Sequence, residues 1–370
     1  MLYKRIVVKL GTNLITGGTD SLDETTMAGL VKQIAALRRK KLDVILVSSG
    51  AITAGRQKLG IEKDRKDIPF KQVLASVGQN HMMNTYDKLF SAHGITIAQT
   101  LLTKTDLTDR QGYLNARNTL MALLELGVVP IVNENDVVAI DEIEELKFGD
   151  NDNLSAMVAN LVDADLLLLL SDVGGLYTAD PAVDSNAELI HEVKEITADI
   201  EKMAGKTRSK RATGGMSTKI TAAKHATSCG TSVIIAYGHE RDVLEHVMSG
   251  KKIGTLFPTN TSKMESRKRW MLSGLSLKGG ITIDNGAVVA LTQDNKSLLP
   301  AGVIEVQGKF KRGDIINIAN SNGTRIASGI SNYSAADIAQ IMGKQSDEIF
   351  EILGHEYGTE VVHKNNLAVL

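Results

Sequence analysis

The chain has 370 residues, of which 43% are apolar and 23% are charged, so it is long enough for a large core and about two domains. Its formal net charge of −1 excludes a chain-wide positive field that would gather nucleic acid or an anionic membrane. The single Cys229 cannot form a disulfide within the chain and no basic-then-apolar leader follows Met1, so we expect a cytoplasmic protein.

The first two thirds of the chain alternate short apolar runs with longer segments of helical periodicity. This alternation is typical of an α/β domain with an open, mostly parallel sheet flanked by helices. The predicted strands are Arg5–Lys9, Asp43–Ser48, Thr96–Leu102, Val128–Val132, Leu166–Ser171 and Thr231–Tyr237. Helices are predicted near residues 24–40, 71–92, 111–126, 153–162 and 216–228. Because several strands end in small or polar residues, we expect a ligand site at the carboxyl ends of the strands.

The character of the sequence changes after Tyr237. Residues 258–276 are polar and basic without a sustained period, which indicates a linker. From Leu277 onward, short strand-like runs alternate with turn sequences, which is typical of a small, mostly β domain. The sequence therefore predicts a first domain over 1–257, a linker over 258–276 and a second domain over 277–370.

A glycine-rich stretch, TGGMSTK, occupies residues 213–219 and directly precedes a predicted helix. Free N–H groups at a helix start bind anions, and glycines let phosphate oxygens approach the backbone. The stretch is not a Walker A loop, because its lysine does not directly follow a glycine and has no hydroxyl behind it. An ordinary glycine turn with Ser217 or Thr218 as the helix cap is the open alternative.

Two further strand ends carry groups suited to anions. Lys9 ends a hydrophobic strand, where a buried charge is costly unless an anion or a carboxylate neutralises it. The alternative is that Lys9 extends its side chain to solvent. Ser48-Ser49-Gly50-Ala51 forms a strand-to-helix turn that can receive a carboxylate or phosphate, although plain turn chemistry explains it equally well.

Two acidic amide clusters, residues 133–136 (NEND) and 149–153 (GDNDN), lie at predicted element ends, and each is suited to binding an amino group. The second cluster is not an EF-hand, because Leu161 stands where a bidentate glutamate is required. Helix capping by Asp150 is the alternative that stays open. No zinc-binding spacing and no Gly-x-Ser-x-Gly elbow occur, whereas lysines, glycines and helix starts are the groups that phosphoryl transfer uses.

Six motifs together resemble the amino acid kinase family. They are VKLGT at 8–12, SSGA at 48–51, NEND, GDNDN, SDVGGLYTADP at 171–181 and TGGMSTK. Residues 277–370, with SLLPAGV at 297–303 and NYSAADI at 332–338, resemble a PUA domain. Related kinases of acetylglutamate, carbamate, aspartate or uridylate share the phosphate elements but not this tail. Two departures from the family pattern are Ser171 in place of threonine and Ala212 in place of a third glycine.

The resemblance implies ATP-dependent phosphorylation of the glutamate γ-carboxylate to γ-glutamyl phosphate, the first step of proline biosynthesis. By motif, Lys9 and Lys219 are the catalytic lysines and Asp152 orients them, while Ser49, Asp136 and Asn151 bind glutamate. The implied ATP-binding residues are Lys9, Ser171, Asp172, Thr213, Gly214, Gly215, Met216, Ser217, Thr218 and Lys219.

ATP and Mg²⁺ are the expected cofactors. No residue is assigned as a metal ligand, because Mg²⁺ commonly keeps waters and takes phosphate oxygens. Proline as a feedback inhibitor, product transfer to a γ-glutamyl phosphate reductase and a homo-oligomer are implied as well. An RNA-binding protein is the competing class, because PUA domains resemble modules found there. Residues 277–370 carry eight Lys and Arg against ten Asp and Glu, and this net negative charge argues against nucleic acid.

Overall fold

The computed structural model describes residues 3–61, 67–139, 151–181, 183–205, 215–259 and 279–370. The chain divides into two compact units. The first comprises Met1–Thr108 and Asn115–Ser262, and the second comprises Asp109–Leu114 and Lys263–Leu370. The assignment of residues 109–114 to the second unit was not predicted from the sequence.

The first unit is built on a seven-stranded sheet. Its strands are β1 (Arg5–Leu10), β2 (Asp43–Ser48), β3 (Ile97–Leu102), β4 (Val129–Glu134), β5 (Leu166–Ser171), β6 (Ser232–Tyr237) and β7 (Thr255–Phe257). They lie in the order β3-β4-β2-β1-β5-β6-β7, in which the first six strands of the chain are mutually parallel and β7 runs antiparallel to β6. The predicted mostly parallel sheet is confirmed, and only the three-residue β7 was not anticipated.

Helices flank this sheet. They are α1 (Thr12–Thr16), α2 (Glu24–Arg39), α3 (Ala51–Leu59), α4 (Ile68–Ser91), α5 (Lys104–Thr108), α6 (Arg110–Glu125), α7 (Asn151–Leu161), α8 (Ala198–Gly205), α9 (Met216–Ser228) and α10 (Val243–Met248). The five predicted helices are confirmed as α2, α4, α6, α7 and α9. The other helices have nine residues or fewer, too short to show a clear helical period in the sequence.

Burial of the central strands explains their composition. All six residues of β5 are buried, which a parallel sheet covered by helices on both faces requires. Strand β1 lies between β2 and β5, where Lys9 is paired in register with Val47 and Leu169. The strand-end residues of β1, β2, β4 and β5 therefore meet at the carboxyl edge of one sheet, as the sequence predicted.

Glycines bring α3 and α4 into close contact beside this edge. Gly50, which precedes α3, has a φ of 98°, and a Cβ there would lie 2.7 Å from Ile15 Cδ1. A Cβ on Gly55 would lie 1.9 Å from the backbone oxygen of Leu74, and one on Gly78 would lie 1.7 Å from that of Ala51. Larger residues at Gly55 or Gly78 would force the two helices apart, so these two glycines set the separation of α3 and α4.

The second unit contains a five-stranded sheet, which confirms the predicted small, mostly β fold. Its strands are β8 (Gly279–Ile283), β9 (Val303–Gly308), β10 (Ile315–Asn320), β11 (Arg325–Ile330) and β12 (Leu367–Val369), in the order β12-β11-β10-β8-β9. Three short α-helices, α11 (Asn285–Thr292), α12 (Ala335–Ile341) and α13 (Ile349–Leu353), accompany 3₁₀ turns at Pro300–Gly302, Ser346–Glu348 and Lys364–Asn366. The unit has its own apolar core, which includes Ile316, Ile338 and the buried Tyr333.

Most of the predicted linker, 258–276, lies outside the described residues, so the domain boundaries stay a prediction. Within the described ranges, no helix is long and apolar enough to cross a membrane.

Candidate active site

A single carboxylate holds two lysines at the carboxyl edge of the first sheet. Asp152, in the first turn of α7, has its Oδ1 2.6 Å from Lys9 Nζ and its Oδ2 3.1 Å from Lys219 Nζ. Lys9 comes from the end of β1 and Lys219 from the first turn of α9, so three separate elements converge here. The predicted grouping of Lys9, Asp152 and Lys219 is thus present in the structure. The alternative that Lys9 reaches solvent is wrong, because its side chain is only 4% exposed.

Burial makes the charges of this group interdependent. Asp152 is completely buried, and burial by itself raises the pKa of a carboxyl group. The ammonium groups of Lys219 and Lys9 and the hydrogen bonds from Lys9 and Thr218 outweigh that effect and hold the pKa of Asp152 well below its usual range. Asp152 is therefore ionised at neutral pH and provides the counter-charge for two nearly buried lysines.

The start of α9 supports the same carboxylate. Gly215 is the N-cap residue and no side chain caps the helix, so the alternative of a cap by Ser217 or Thr218 is wrong. Instead, the Thr218 hydroxyl lies 2.8 Å from the Gly215 carbonyl oxygen and 2.9 Å from Asp152 Oδ2. The glycine turn therefore directs its side chains to Asp152 and leaves the first N–H groups of α9 without a side-chain cap.

A chain of buried amides lies next to this group. Asn151 Nδ2 donates to Ser49 Oγ at 3.0 Å and to Asn133 Oδ1 at 3.1 Å. Asn133 Nδ2 in turn donates to Gln79 Oε1 at 2.9 Å. Ser49 and Asn151, two of the three residues predicted to bind glutamate, are thus in direct contact. In the part of the chain that the structure describes, Asn151 Oδ1 is buried and accepts no hydrogen bond.

Asp136 is a second buried carboxyl group at this edge, just after β4. Burial and the nearby charge of Glu134 raise the pKa of Asp136 to about 7. Its Oδ1 is buried without a hydrogen-bond partner among the described residues, and no direct hydrogen bond joins Asp136 to Ser49 or Asn151. A cationic group placed against Asp136 would therefore gain a strong interaction and lower that pKa.

The other predicted nucleotide-binding residues lie at the ends of β5 and α9. Ser171 is buried and its Oγ accepts from Val173 N at 3.1 Å, whereas the exposed Asp172 accepts from Asn13 Nδ2 at 2.8 Å. Met216 is buried and Ser217 is exposed in the first turn of α9. Thr213 and Gly214, like Gly149 and Asp150, lie outside the described residues.

The structure adds groups that the sequence did not single out. Gln79, in the middle of α4, joins the amide chain, and no motif surrounded it. Asn133 was noticed only as part of the NEND cluster, and Thr218 was expected to bind ATP or to cap α9 and not to contact Asp152. Their hydrogen bonds to residues far away in the chain become visible only in the folded structure.

Comparison with known proteins agrees with this architecture. The profile described as the amino acid kinase family matches residues 4–237, and that of the PUA domain matches residues 279–353. The first match covers more than half of the chain.

Full-length relatives extend the comparison. A glutamate 5-kinase of Dehalococcoides mccartyi (strain ATCC BAA-2266 / KCTC 15142 / 195) is 58% identical over 100% of this chain and 99% of its own length. A glutamate 5-kinase of Herpetosiphon aurantiacus is 48% identical over 99% of this chain and 98% of its own length. A glutamate 5-kinase of Shewanella halifaxensis is 47% identical over 100% of this chain and 98% of its own length.

Proposed function

The chain belongs to the amino acid kinase family, and we propose that it acts as a glutamate 5-kinase. It would transfer the γ-phosphoryl group of ATP to the γ-carboxylate of glutamate, giving ADP and γ-glutamyl phosphate in the first step of proline biosynthesis. The observation that carries this proposal is the double ion pair of Asp152 with Lys9 and Lys219 at the carboxyl edge of the sheet. Full-length relatives at 47–58% identity support it.

Lys9 and Lys219 are the catalytic groups in this proposal. The main obstacle to the reaction is repulsion between an anionic carboxylate and an anionic triphosphate, and preorganised positive charge lowers such a barrier. Asp152 holds both Nζ atoms in place before substrates bind. An oxygen of the transferring phosphoryl group would bind between the lysines or beside them, where its charge is balanced.

The chemistry requires no general base. A glutamate γ-carboxylate has an ordinary pKa of about 4.3, so it is ionised and nucleophilic at neutral pH. A reaction without a general base is compatible with the charged groups identified in this site, which are Lys9, Lys219 and the carboxyl groups of Asp152 and Asp136. Binding and orientation of the two substrates are then the main tasks of the protein.

Ser49, Asp136 and Asn151 are proposed to bind glutamate. Asp136 Oδ1 and Asn151 Oδ1 are buried acceptors without partners in the described chain, as a binding site for an ammonium group requires. The α-ammonium group of glutamate supplies the matching donors. Ser49, which precedes Gly50 and α3, adds a hydroxyl group that contacts Asn151.

ATP is proposed to bind along the ends of β5 and α9. The uncapped start of α9 at Gly215 offers N–H groups and the positive end of the helix dipole to phosphate oxygens. The proposed contacts are Lys9, Ser171, Asp172, Thr213, Gly214, Gly215, Met216, Ser217, Thr218 and Lys219.

Mg²⁺ is proposed to enter with the nucleotide. Among the described residues, no group of three or more His, Cys, Asp or Glu side chains is placed to hold a metal ion. Mg²⁺ commonly keeps several waters and takes phosphate oxygens as ligands, so an ion carried by ATP is compatible with this site. When bound, the ion would neutralise part of the phosphate charge.

We also infer the wider setting of the enzyme from the family. It would act in the cytoplasm as a homo-oligomer, with proline as a feedback inhibitor and a γ-glutamyl phosphate reductase as the recipient of its product. The domain boundaries at 257 and 277 belong to this proposal, with catalysis in the first domain.

One assay tests the assignment directly. ADP release is measured with glutamate, aspartate, acetylglutamate and carbamate offered separately at saturating ATP and Mg²⁺. We expect turnover with glutamate to exceed that with each other acceptor by at least tenfold. A preference for another acceptor would reject the glutamate assignment and retain the kinase class, and no turnover with any of the four would reject both.

A further inference from the structure

The buried amide chain ends in a residue that has no assigned role. Gln79 lies on α4, is 8% exposed, and accepts the hydrogen bond from Asn133 Nδ2 through its Oε1. Its own Nε2 is buried and has no hydrogen-bond partner in the described part of the chain. Burying an amide whose oxygen is hydrogen-bonded but whose NH₂ group is not costs folding free energy, so the presence of Gln79 at this buried position requires an explanation.

The backbone holds Gln79 firmly in place. The neighbouring residue, Gly78, lies so close to Ala51 that a Cβ would meet the Ala51 oxygen at 1.7 Å. Ala51 begins α3 two residues after Ser49, which belongs to the proposed glutamate site. The close glycine contact therefore fixes the position of Gln79 relative to that site.

The amide chain has a direction that decides what Asn151 presents to a ligand. Each link uses the NH₂ group of one amide and the oxygen of the next, from Asn151 through Asn133 to Gln79. In this direction Asn151 Oδ1 has no hydrogen-bond donor among the described residues and can accept one from a ligand, whereas the reversed direction would present an NH₂ group instead. An ammonium ligand needs the acceptor, so the direction of the chain matters for binding.

We propose that Gln79 is a positioning residue for the amino-acid substrate: its Oε1 orients Asn133, and Asn133 orients Asn151 with Oδ1 towards the α-ammonium group. This inference rests on the proposed function, in which Asn151 binds glutamate. Gln79 need not touch the substrate for this role.

Substitutions at position 79 separate its acceptor from its other properties. Gln79→Met removes both the acceptor and the donor at nearly constant volume, so we expect the KM for glutamate to rise at least tenfold. The kcat should stay within about threefold and the KM for ATP within about twofold. Gln79→Glu keeps an acceptor in the same place, so we expect its KM for glutamate to stay within about threefold of wild type. Asn80→Met, which changes an exposed amide next to Gln79, is the matched control.

A double-mutant cycle tests the relay through Asn133. Once Asn133→Ala has removed the relay, adding Gln79→Met should change the KM for glutamate by less than about twofold. An unchanged KM for Gln79→Met would overturn the proposal, as would a large rise for Gln79→Glu or a full additive effect in the Asn133→Ala background. If Gln79→Met does not fold, as judged by its melting curve, Gln79→Asn withdraws the oxygen while keeping the amide, and the same rise is expected.

Activity of the wild-type enzyme with glutamate separates a failure of the proposed function from a failure of the proposed role of Gln79. If it does not phosphorylate glutamate, the proposed function fails and with it the substrate named here. If it does, but Gln79→Met behaves like Asn80→Met, only the role of Gln79 is rejected.

Discussion

Lys9 and Lys219 bind opposite oxygens of the Asp152 carboxylate, at 2.6 and 3.1 Å. One buried anion therefore sets the separation of two cations that come from distant parts of the chain. Because the carboxylate and both ammonium groups are shielded from water, this arrangement exists before any substrate arrives and requires little reorganisation during the reaction.

The first prediction concerns the charge of Lys219. We expect Lys219→Ala to lower kcat by about two to four orders of magnitude, because it removes one preorganised charge from the transition state. Steady-state ADP release measures the effect. Lys224→Ala, an exposed lysine on the same helix that pairs with Glu201, should keep nearly full activity. A Lys219→Ala enzyme with near-normal kcat would exclude Lys219 as a catalytic group.

The second prediction concerns the stability of the ion pairs. Asp152→Ala leaves two nearly buried ammonium groups without their counter-charge, which we expect to lower the free energy of unfolding by about 3–5 kcal/mol. Urea denaturation followed by circular dichroism measures the change. A triple variant with Lys9→Met and Lys219→Met added should recover stability while staying inactive. Equal stability of Asp152→Ala and wild type would contradict this account.

The third prediction concerns the pH dependence of glutamate binding. The pKa of Asp136 is raised to about 7 by burial and by Glu134, and only the ionised form attracts the α-ammonium group. We therefore expect the KM for glutamate to rise as the pH falls below about 7, by up to about tenfold per pH unit, while the KM for ATP barely changes. Asp136→Asn should have a high KM for glutamate that no longer depends on pH over this range. The same pH dependence in that variant would show that another group titrates.

The fourth prediction concerns the stability of the substrate-free enzyme. The pKa of Asp136 is higher in the folded protein than in the unfolded chain, so the folded state binds a proton more tightly. Ionising Asp136 therefore costs folding free energy, and the free energy of unfolding falls as the pH rises from about 4 to about 7. Above pH 7 this cost is at most about 4 kcal/mol. Asp136→Asn avoids it, so its melting temperature should exceed that of wild type at pH 8 and by less at pH 5. An equal rise in melting temperature at pH 5 and pH 8 would show that ionisation of Asp136 is not its cause.

The fifth prediction concerns the second unit. All proposed catalytic residues precede residue 220, so a chain ending near Ser262 should fold and phosphorylate glutamate with kcat within about tenfold of the full chain. Shortening exposes Leu114, which is buried with Ile315, Ile330 and Ala368, so Leu114→Gln in the shortened chain should improve its solubility. Absence of turnover in a shortened chain with a cooperative melting curve would place part of the catalytic machinery in the second unit.

The sequence by itself determined the strands, the long helices and the edge of the sheet where the polar groups meet. Hydrophobic runs and helical periods are local properties, and the parallel order of strands brings their carboxyl ends to one edge. The grouping of Lys9, Asp152 and Lys219 was predicted from the resemblance to the amino acid kinase family, and the structure places the three side chains together. Short elements such as β7 and α10 lacked enough residues to show a period.

Only the tertiary structure decided how these side chains pair. No local pattern marks Gln79 in the middle of α4, because its partner Asn133 lies in another element and the contact depends on how α4 packs against α3. The grouping of Asp109–Leu114 with the second unit, and the raised pKa of Asp136, likewise depend on burial by residues distant in the chain. Desolvation and hydrogen-bond direction are properties of a packed environment, and a linear pattern specifies neither.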